Sequence, residues 1–564
     1  ITGKANTRYS SANNEITNHF DINIGWKKWA IVTSISSFDF GHVRQGSNGP
    51  DDYIKSYHVQ QIDSTDKIVQ QDDPLLQMPS AYSQKNIMQK VRYKPNQNWD
   101  FEYGFHYSET SGYGRYDRHN RTRNGQPRYG KWNYGPQIWA MNNLQITHQN
   151  MNTIYDEMSI RLAHQYFEES RIDRDFNKEL ERNRIEKVDA YSINLDLNKS
   201  LTSKHKLFYG AEVVRNEVSS NAYKENIFTG SKVPILSRYP QSDWSSYGIY
   251  LKDQFTISDQ LILQGGLRYN QYAINATFDT TYLNVPFTKA NINNGSLTGS
   301  FGVTYRPTEE WILKANASTG FRSPNVDDIG KVFDSEPGSV VVPNPDLKAE
   351  YAYNLDAGIA KVFNEFLKID FTTYYTILEN ALVRRDYQLN GQDSILYDGT
   401  LSQVQAIQNA AQSTRYGVQL GVEMKFPGNF SFSSNINYQD GEDEMDDGTK
   451  SPPRHAAPIF GSARLNYEFK EVSLQFYTRY QGERTHDELA LTERDKTEIY
   501  ALDENGNTYA PAWYTLNFKA LYQITDTFTV SAGIENLTDK RYRPYSSGIS
   551  APGRNFFISL ISNF

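Results

Sequence analysis

The segment Tyr416-Gly417-Val418-Gln419-Leu420-Gly421-Val422-Glu423-Met424-Lys425-Phe426 decides the fold. Every second residue is apolar (Tyr416, Val418, Leu420, Val422, Met424, Phe426), and the interleaved Arg415, Gly417, Gln419, Gly421, Glu423 and Lys425 are small or polar. A side-chain period of two marks a strand with one face in an apolar medium and the other in a polar one. Strands of soluble sandwiches usually run about 5–6 residues; this one is about twice that, which suits a tilted crossing of a bilayer. The pattern recurs on both sides. Ile459, Gly461, Ala463, Leu465, Tyr467 and Phe469 alternate with Ser462, Arg464, Asn466 and Glu468, and Phe528, Val530, Ala532 and Ile534 with Thr529, Ser531, Gly533 and Glu535.

Connections between such strands come in two kinds. Pro95-Asn96, Ser258-Asp259, Pro427-Gly428-Asn429 and Asp526-Thr527 are tight turns. Long polar segments lie near 43–85, 111–136, 169–185, 217–241, 277–293, 322–348, 384–412, 441–458 and 484–511. Bacterial membrane barrels have this asymmetry, with short periplasmic turns and long extracellular loops. Strand starts are expected near 1, 15, 28, 86, 98, 137, 152, 186, 204, 242, 260, 294, 311, 349, 366, 413, 430, 459, 472, 512, 528 and 555. The expectation is therefore an all-β chain: a 22-stranded antiparallel transmembrane β-barrel over residues 1–564. A barrel of that size has a wide lumen that is normally plugged.

Composition agrees. The chain has 40 Tyr and 29 Phe but only 38% hydrophobic residues, and its net charge is −8. No stretch of about 18 apolar residues exists for a membrane helix, whereas alternating strands combine low mean hydropathy, here −0.68, with many aromatics. The absence of cysteine excludes thiolate metal sites and cysteine nucleophiles. Mild acidity gives no reason to expect nucleic acid as a partner. At the C-terminus Phe556, Ile558, Leu560 and Phe564 share one face, and the final aromatic Phe564 matches the terminal-strand signal of outer-membrane barrels.

Three segments resemble TonB-dependent outer-membrane receptors. The first is Gly248-Ile249-Tyr250-Leu251-Lys252-Asp253-Gln254-Phe255, with Gly266-Leu267-Arg268-Tyr269 after a turn. The second is Gly320-Phe321-Arg322-Ser323-Pro324-Asn325, then Asn344-Pro345-Asp346-Leu347-Lys348-Ala349-Glu350. The third is Asn536-Leu537-Thr538-Asp539-Lys540-Arg541-Tyr542, with Pro552-Gly553-Arg554 before the last strand. Most of these positions read as structural: Pro324, Pro343 and Pro345 mark strand exits, and Arg322 and Glu350 stand where a charge pair could clamp one loop. The resemblance implies energised uptake of a scarce nutrient in a Gram-negative outer membrane, in contact with lipid and lipopolysaccharide. It also implies an N-terminal plug and a segment gripped by the TonB complex. Neither is found in residues 1–564, so a processed or truncated product is expected.

The segment 111–136 carries the candidate ligand residues Tyr113, Arg115, Tyr116, Arg118, His119, Arg121, Arg123, Tyr129, Trp132 and Tyr134, to which Arg322 is added. Arginine offers planar donors to carboxylate or catecholate oxygens, and aromatic faces stack on ligand rings. In this family such a vestibule suits an anionic ferric siderophore, with haem or cobalamin as the other ligands considered. Haem receptors place a histidine between the two boxes of the seventh loop, and 325–343 contains none. The acidic run Asp440–Gly448 lacks the regular ligand spacing of a calcium loop, so no metal site or cofactor is expected. His106 and Ser108 resemble the pair of outer-membrane phospholipases, but Phe101, Tyr103, Phe105 and Tyr107 form the apolar face of their strand. The pair should face the lumen, away from lipid, and no enzyme is expected. The alternatives are a passive diffusion porin, for which about 16–18 strands are usual, and a surface scaffold barrel working with a lipoprotein.

Overall fold

The computed structural model describes all residues but Pro337, Asp398, Asp446 and Asp447, and of Asp334, Ser335, Glu336, Ala410 and Ala411 it describes the backbone. The wall consists of 22 antiparallel strands. They are β1 (Thr2–Ser10), β2 (Glu15–Gly25), β3 (Trp29–Phe40), β4 (Tyr82–Tyr93), β5 (Trp99–Thr110), β6 (Ile138–Gln149), β7 (Glu157–Asp175), β8 (Leu180–Ser200), β9 (His205–Asn226), β10 (Gln241–Thr256) and β11 (Leu261–Thr277). There follow β12 (Lys289–Tyr305), β13 (Trp311–Arg322), β14 (Glu350–Phe363), β15 (Leu367–Asp386), β16 (Thr400–Phe426), β17 (Phe430–Glu444), β18 (Phe460–Phe469), β19 (Val472–Gln481), β20 (Trp513–Gln523), β21 (Phe528–Glu535) and β22 (Asn555–Asn563). Each pairs with its sequence neighbours, and β1 closes the ring on β22, with Lys4 opposite Asn563 and Ser10 opposite Phe557. The count excludes the 16–18 strands of a general porin.

Alternation separates the two faces of the wall. On β10–β12 the side chains of Ile249, Leu251, Leu267 and Leu297 are 62%, 53%, 62% and 63% exposed and point outward. Between them Arg268 points inward, donating to Glu212 and Asn270 at 2.9 Å each. Aromatic rings collect at both ends of the apolar band, as in other membrane barrels. Trp29 stacks on Tyr93 at 4.3 Å and Phe430 meets Tyr467 at 4.6 Å at the turn end; Phe40 meets Tyr82 at 4.8 Å at the loop end.

Most predicted strand starts lie within a few residues of those observed, and the departures have physical causes. The segment expected as a loop over 169–185 is mostly strand, with β7 and β8 joined by the tight turn 176–179. Its sequence is polar on both faces, because above the apolar band both faces meet water. Cross-strand ion pairs hold it: Arg171–Glu186 at 3.0 Å, Arg182–Asp175 at 2.9 Å and Arg184–Asp173 at 2.6 Å. Likewise β9 continues to Asn226, through much of the loop expected over 217–241. The strand expected from 413 begins at Thr400, since the β15–β16 register shifts between Leu378 and Ala381 and again between Ala381 and Leu382. A bulge reverses which alternate residues face inward, so the period of two breaks there although the strand continues.

The loops of one side fold over the mouth. Ile274 and Ala276 of β11, Ala290 and Ile292 of β12, and Val404 and Ala406 of β16 turn inward and pack on Ile329, Val332, Val340, Val342 and Leu347 of the 323–349 loop. Residues Ser339–Val341 add a parallel strand beside Gln403–Gln405. The inner wall thus carries a true apolar core, confined to the loop end.

The outward face predicts a large asymmetry between substitutions. Leu267→Lys should cost about 2–4 kcal/mol of folding stability in a bilayer. Ser433→Lys, on the lumen side opposite Glu423, should cost well under half of that. Urea titrations of folding into lipid vesicles check both.

Candidate functional site

The 111–137 segment is an ordered subdomain. Tyr113–Gly114 pairs with the strand Tyr129–Tyr134, which also pairs with the β7 extension. A short helix spans Tyr116–His119. The hairpin Thr122–Arg123/Gln126–Pro127 turns through Asn124 and Gly125, both at positive φ, the Asn-Gly signature of a two-residue turn.

Inside it lies an unbalanced group of cations. Arg115 donates to Asp117 at 2.8 Å and to the Tyr134 hydroxyl at 2.9 Å, with its guanidinium over the Trp132 ring. Arg118 is 3.9 Å from Asp117, and Arg121 is 3.2 Å from Glu498 of the 482–512 loop. Lys55, buried, donates to the His119 carbonyl at 2.6 Å. Arg543, also buried, donates to the carbonyls of Glu498 and Ile499 and covers the Tyr53 ring at 4.2 Å. Among the described residues, Asp117 and Glu498 are the carboxylates paired with these five cations. Arg118 Nε, Arg121 Nη1 and Arg543 Nε are buried with no acceptor among the described residues. Burial lowers the Lys55 ammonium to about 8 and weakens the proton affinity of Arg118 and Arg543. Burial, then Lys55, lowers His119 to about 4, so His119 is neutral and accepts from the Trp132 amide. Buried cationic donors without partners call for an anion or for water.

The predicted ligand residues divide accordingly. Tyr116, His119 and Tyr129 are buried and build the subdomain. Tyr113, Arg115, Arg118, Arg121, Trp132 and Tyr134 are half-buried, and Arg123 is exposed at the rim, 3.4 Å from Thr400 Oγ1 of β16. Arg322 lies apart, at the base of the 323–349 loop. It pairs with Glu350 at 3.2 Å and Asp328 at 2.6 Å, where the clamp was expected. Pro324 is fully buried beside Asn325, which caps the short helix Val326–Gly330. Asn344 donates to the Ile407 carbonyl at 2.8 Å and accepts from the Asp346 amide; Asp346 is exposed, and Leu347 packs in the apolar core. Pro345 is half-buried between them.

Asn536 brackets a turn, accepting from the Lys540 amide and donating to the Lys540 and Pro552 carbonyls. Arg554 donates to the Leu537 carbonyl at 3.0 Å. That turn docks on the 41–81 loop, where a Cβ on Gly46 would collide with the Lys540 carbonyl. Only glycine permits that approach. Phe564 sits at the turn end against Phe20, and its amide donates to the Gly3 carbonyl at 3.0 Å. In the acidic run, Asp443 pairs with Arg415 and Glu442 with Lys450, while Asp446 and Asp447 lie outside the described residues. His106 and Ser108 face the lumen, and Ser108 donates to Asn86 at 2.7 Å.

Several ties that order the mouth had no local signal in the sequence. Arg174 donates to both Asp66 oxygens at 2.8 and 2.7 Å in a buried pair, fixing the Tyr57–Gln70 hairpin to β7. Glu493, fully buried, accepts from Tyr500 at 2.6 Å, Arg454 at 3.2 Å and Ser546 at 3.2 Å, joining three loops. Burial raises its carboxyl, but the Tyr500 hydrogen bond with Lys496 and Arg454 more than offsets this and leaves it below the ordinary glutamate range.

Two expectations follow. Asp66→Asn leaves Arg174 buried and unpaired, a loss of about 3–5 kcal/mol; limited proteolysis should cut near 57–70 much faster while the barrel keeps its heat-resistant migration. Because the Glu493 carboxyl is depressed, its stabilisation of the 482–512 loop is complete above the ordinary glutamate range and lost as pH falls through the lower folded value. Amide exchange in that loop should accelerate only in that acid window, and Glu493→Gln should abolish the transition.

The sequence and fold have known counterparts. Residues 25–537 match the family described as TonB dependent receptor-like, beta-barrel. The hemoglobin-haptoglobin utilization protein B of Neisseria meningitidis serogroup A is 23% identical over 313 residues, covering 51% of this chain and 38% of that protein. The chain therefore spans well under two thirds of that relative. Among solved structures, the copper transporter OprC superposes with a TM-score of 0.76 at 14% identity, covering 100% of this chain and 80% of that one. The ferric yersiniabactin uptake receptor FyuA of Yersinia pestis gives 0.66 at 14% identity, covering 100% and 80%. These likenesses show the fold.

Proposed function

The chain belongs to the TonB-dependent receptor β-barrel family, and from that premise we propose that it is the wall of an outer-membrane receptor for energised uptake of an anionic metal chelate, a ferric siderophore before haem or cobalamin. The observation that supports this ligand class is the excess of positive charge around Arg115, Arg118, Arg121, Lys55 and Arg543, with donors on Arg118, Arg121 and Arg543 that have no acceptor among the described residues. An anion bearing carboxylate or catecholate oxygens would supply the missing acceptors, and the exposed Arg123 stands at the rim where it would first meet the mouth. Trp132 and Tyr134 offer rings beside the same cations.

In this account the loops and the outer face of a plug hold the ligand, and TonB draws on the plug from the periplasm. Outer-membrane lipid and lipopolysaccharide surround the outward apolar face.

The test is iron-limited growth of a strain lacking the native receptor and carrying the full-length gene, on a panel of ferric siderophores, haem and cobalamin. Growth should be restored by at least one ferric siderophore. Arg121→Ala/Arg123→Ala should weaken binding of that siderophore by about ten- to a hundredfold, the effect of losing about 1.4–2.8 kcal/mol, with surface expression unchanged. Growth restored only by haem or cobalamin, or unchanged affinity in the double variant, would refute the ligand assignment.

A further inference from the structure

On the lumen side of β4, β5 and β6, three residues stand in one cross-strand row. Met88 is directly opposite His106, and His106 is directly opposite Met141. All three belong to the inward set, since Ile87 and Tyr103 on the same strands are exposed on the outer face. Directly opposed residues place their Cβ atoms about 5 Å apart, so a thioether flanks the imidazole on each side. The chain contains only 7 methionines, and two of them flank this histidine.

The environment of His106 differs from that of the other histidines in the wall. His19 bonds Ser36 and Asp21, His148 bonds Tyr155, His164 bonds Asp189 and His205 bonds Asp253. No hydrogen bond to His106 is found among the described residues; its ring neighbour is Trp139, at 6.0 Å between centroids. Met88, His106 and Trp139 line a recess of about 300 Å³ together with Ser34, Asn86 and Ser108. Gly104, two residues along the same face, gives the His106 ring room on that side: a Cβ there would stand 3.5 Å from His106 Nε2, in space that Gly104 shares with the Asn143 side chain. Between the turn end and the apolar core of the loop end, this row offers two soft sulfurs and an imidazole without a hydrogen bond among the described residues.

We propose that Met88, His106 and Met141 form a binding site for a soft monovalent metal ion, Cu(I) or Ag(I), on the inner wall of the barrel. Thioether and neutral imidazole ligands select Cu(I) over hard, oxygen-seeking cations. The absence of carboxylates from the row disfavours Mg²⁺ and Ca²⁺, which need oxygen ligands. With no cysteine anywhere in the chain, no thiolate competes for the ion. The site is independent of which ligand the loops capture, and it stands or falls separately from the siderophore assignment.

The test uses the full-length receptor purified in detergent, titrated under reducing conditions with Cu(I) held by a chromophoric chelator. The barrel should withdraw one Cu(I) per chain, and X-ray absorption of the loaded protein should show sulfur and imidazole scatterers. Met88→Leu/Met141→Leu and His106→Gln should each weaken binding by at least about tenfold, or 1.4 kcal/mol, with heat-modifiable migration retained. Cu(I) left wholly with the chelator by the wild-type chain would overturn the proposal. So would oxygen-only coordination, or unchanged affinity in folded variants.

Discussion

Within hydrocarbon no water is available to a backbone amide, so every N–H and C=O that crosses must find its partner in another strand. The pairing of β1 with β22 meets that requirement, because a sheet without it would still expose two open edges to lipid. Closure sets much of the rest. It demands alternation along every strand, and it sends consecutive strands in opposite directions. It therefore sorts the connections into tight turns at one end and long loops at the other. Side chains of either kind are tolerated only on their proper face, which is why Leu267 and Arg268, adjacent in sequence, live in opposite media.

Above the apolar band that constraint lapses, and the loops are ordered by two different means. Near the 323–349 loop the inner wall turns apolar, and Ile274, Ile292 and Val404 bury the loop as the core of a soluble domain would. Around the 41–81, 111–137, 482–512 and 536–554 loops the ties include the Asp66–Arg174 pair, the Glu493 cluster and the docking of Asp539 on Ser47, beside a small apolar cluster of Leu489, Tyr500 and Ala510. Polar ties of this sort are specific in geometry but costly when one partner is missing. In the cation group around Lys55 and Arg118, Arg118 Nε, Arg121 Nη1 and Arg543 Nε are buried without an acceptor among the described residues, and the proposed anion would supply one.

What the sequence made legible follows from the same physics. The period of two is imposed by two solvents on two faces, so strands inside the band, β17 through β22 above all, begin within a residue of where they were expected. Where both faces meet water, as on β7 and β8 beyond Ser170, that signal vanishes and a continuous strand reads as a loop. The β15–β16 bulge hides the first half of β16, from Thr400 to the expected start at 413, for a related reason: the alternation persists but changes phase. Arg322 with Glu350, and Asn536 with Lys540, make contacts near the motifs that drew attention to them, since each acts around one loop or turn. Lys55 with His119, Arg543 with Glu498 and Asp66 with Arg174 join distant loops, and nothing in one sequence marks such pairs. Of the candidate ligand residues in 111–136, the sequence could identify type and density but not burial, so Tyr116, His119 and Tyr129 could not be told from the rim residue Arg123.

The central claim is that the barrel serves transport that consumes energy, in contrast to a passive pore of the same shape. It is tested most directly by uptake of ⁵⁵Fe-siderophore into cells expressing the full-length receptor, before and after collapse of the proton-motive force. The account predicts saturable uptake that stops on collapse while surface binding persists. Uptake that continues after collapse and rises linearly with concentration would contradict it.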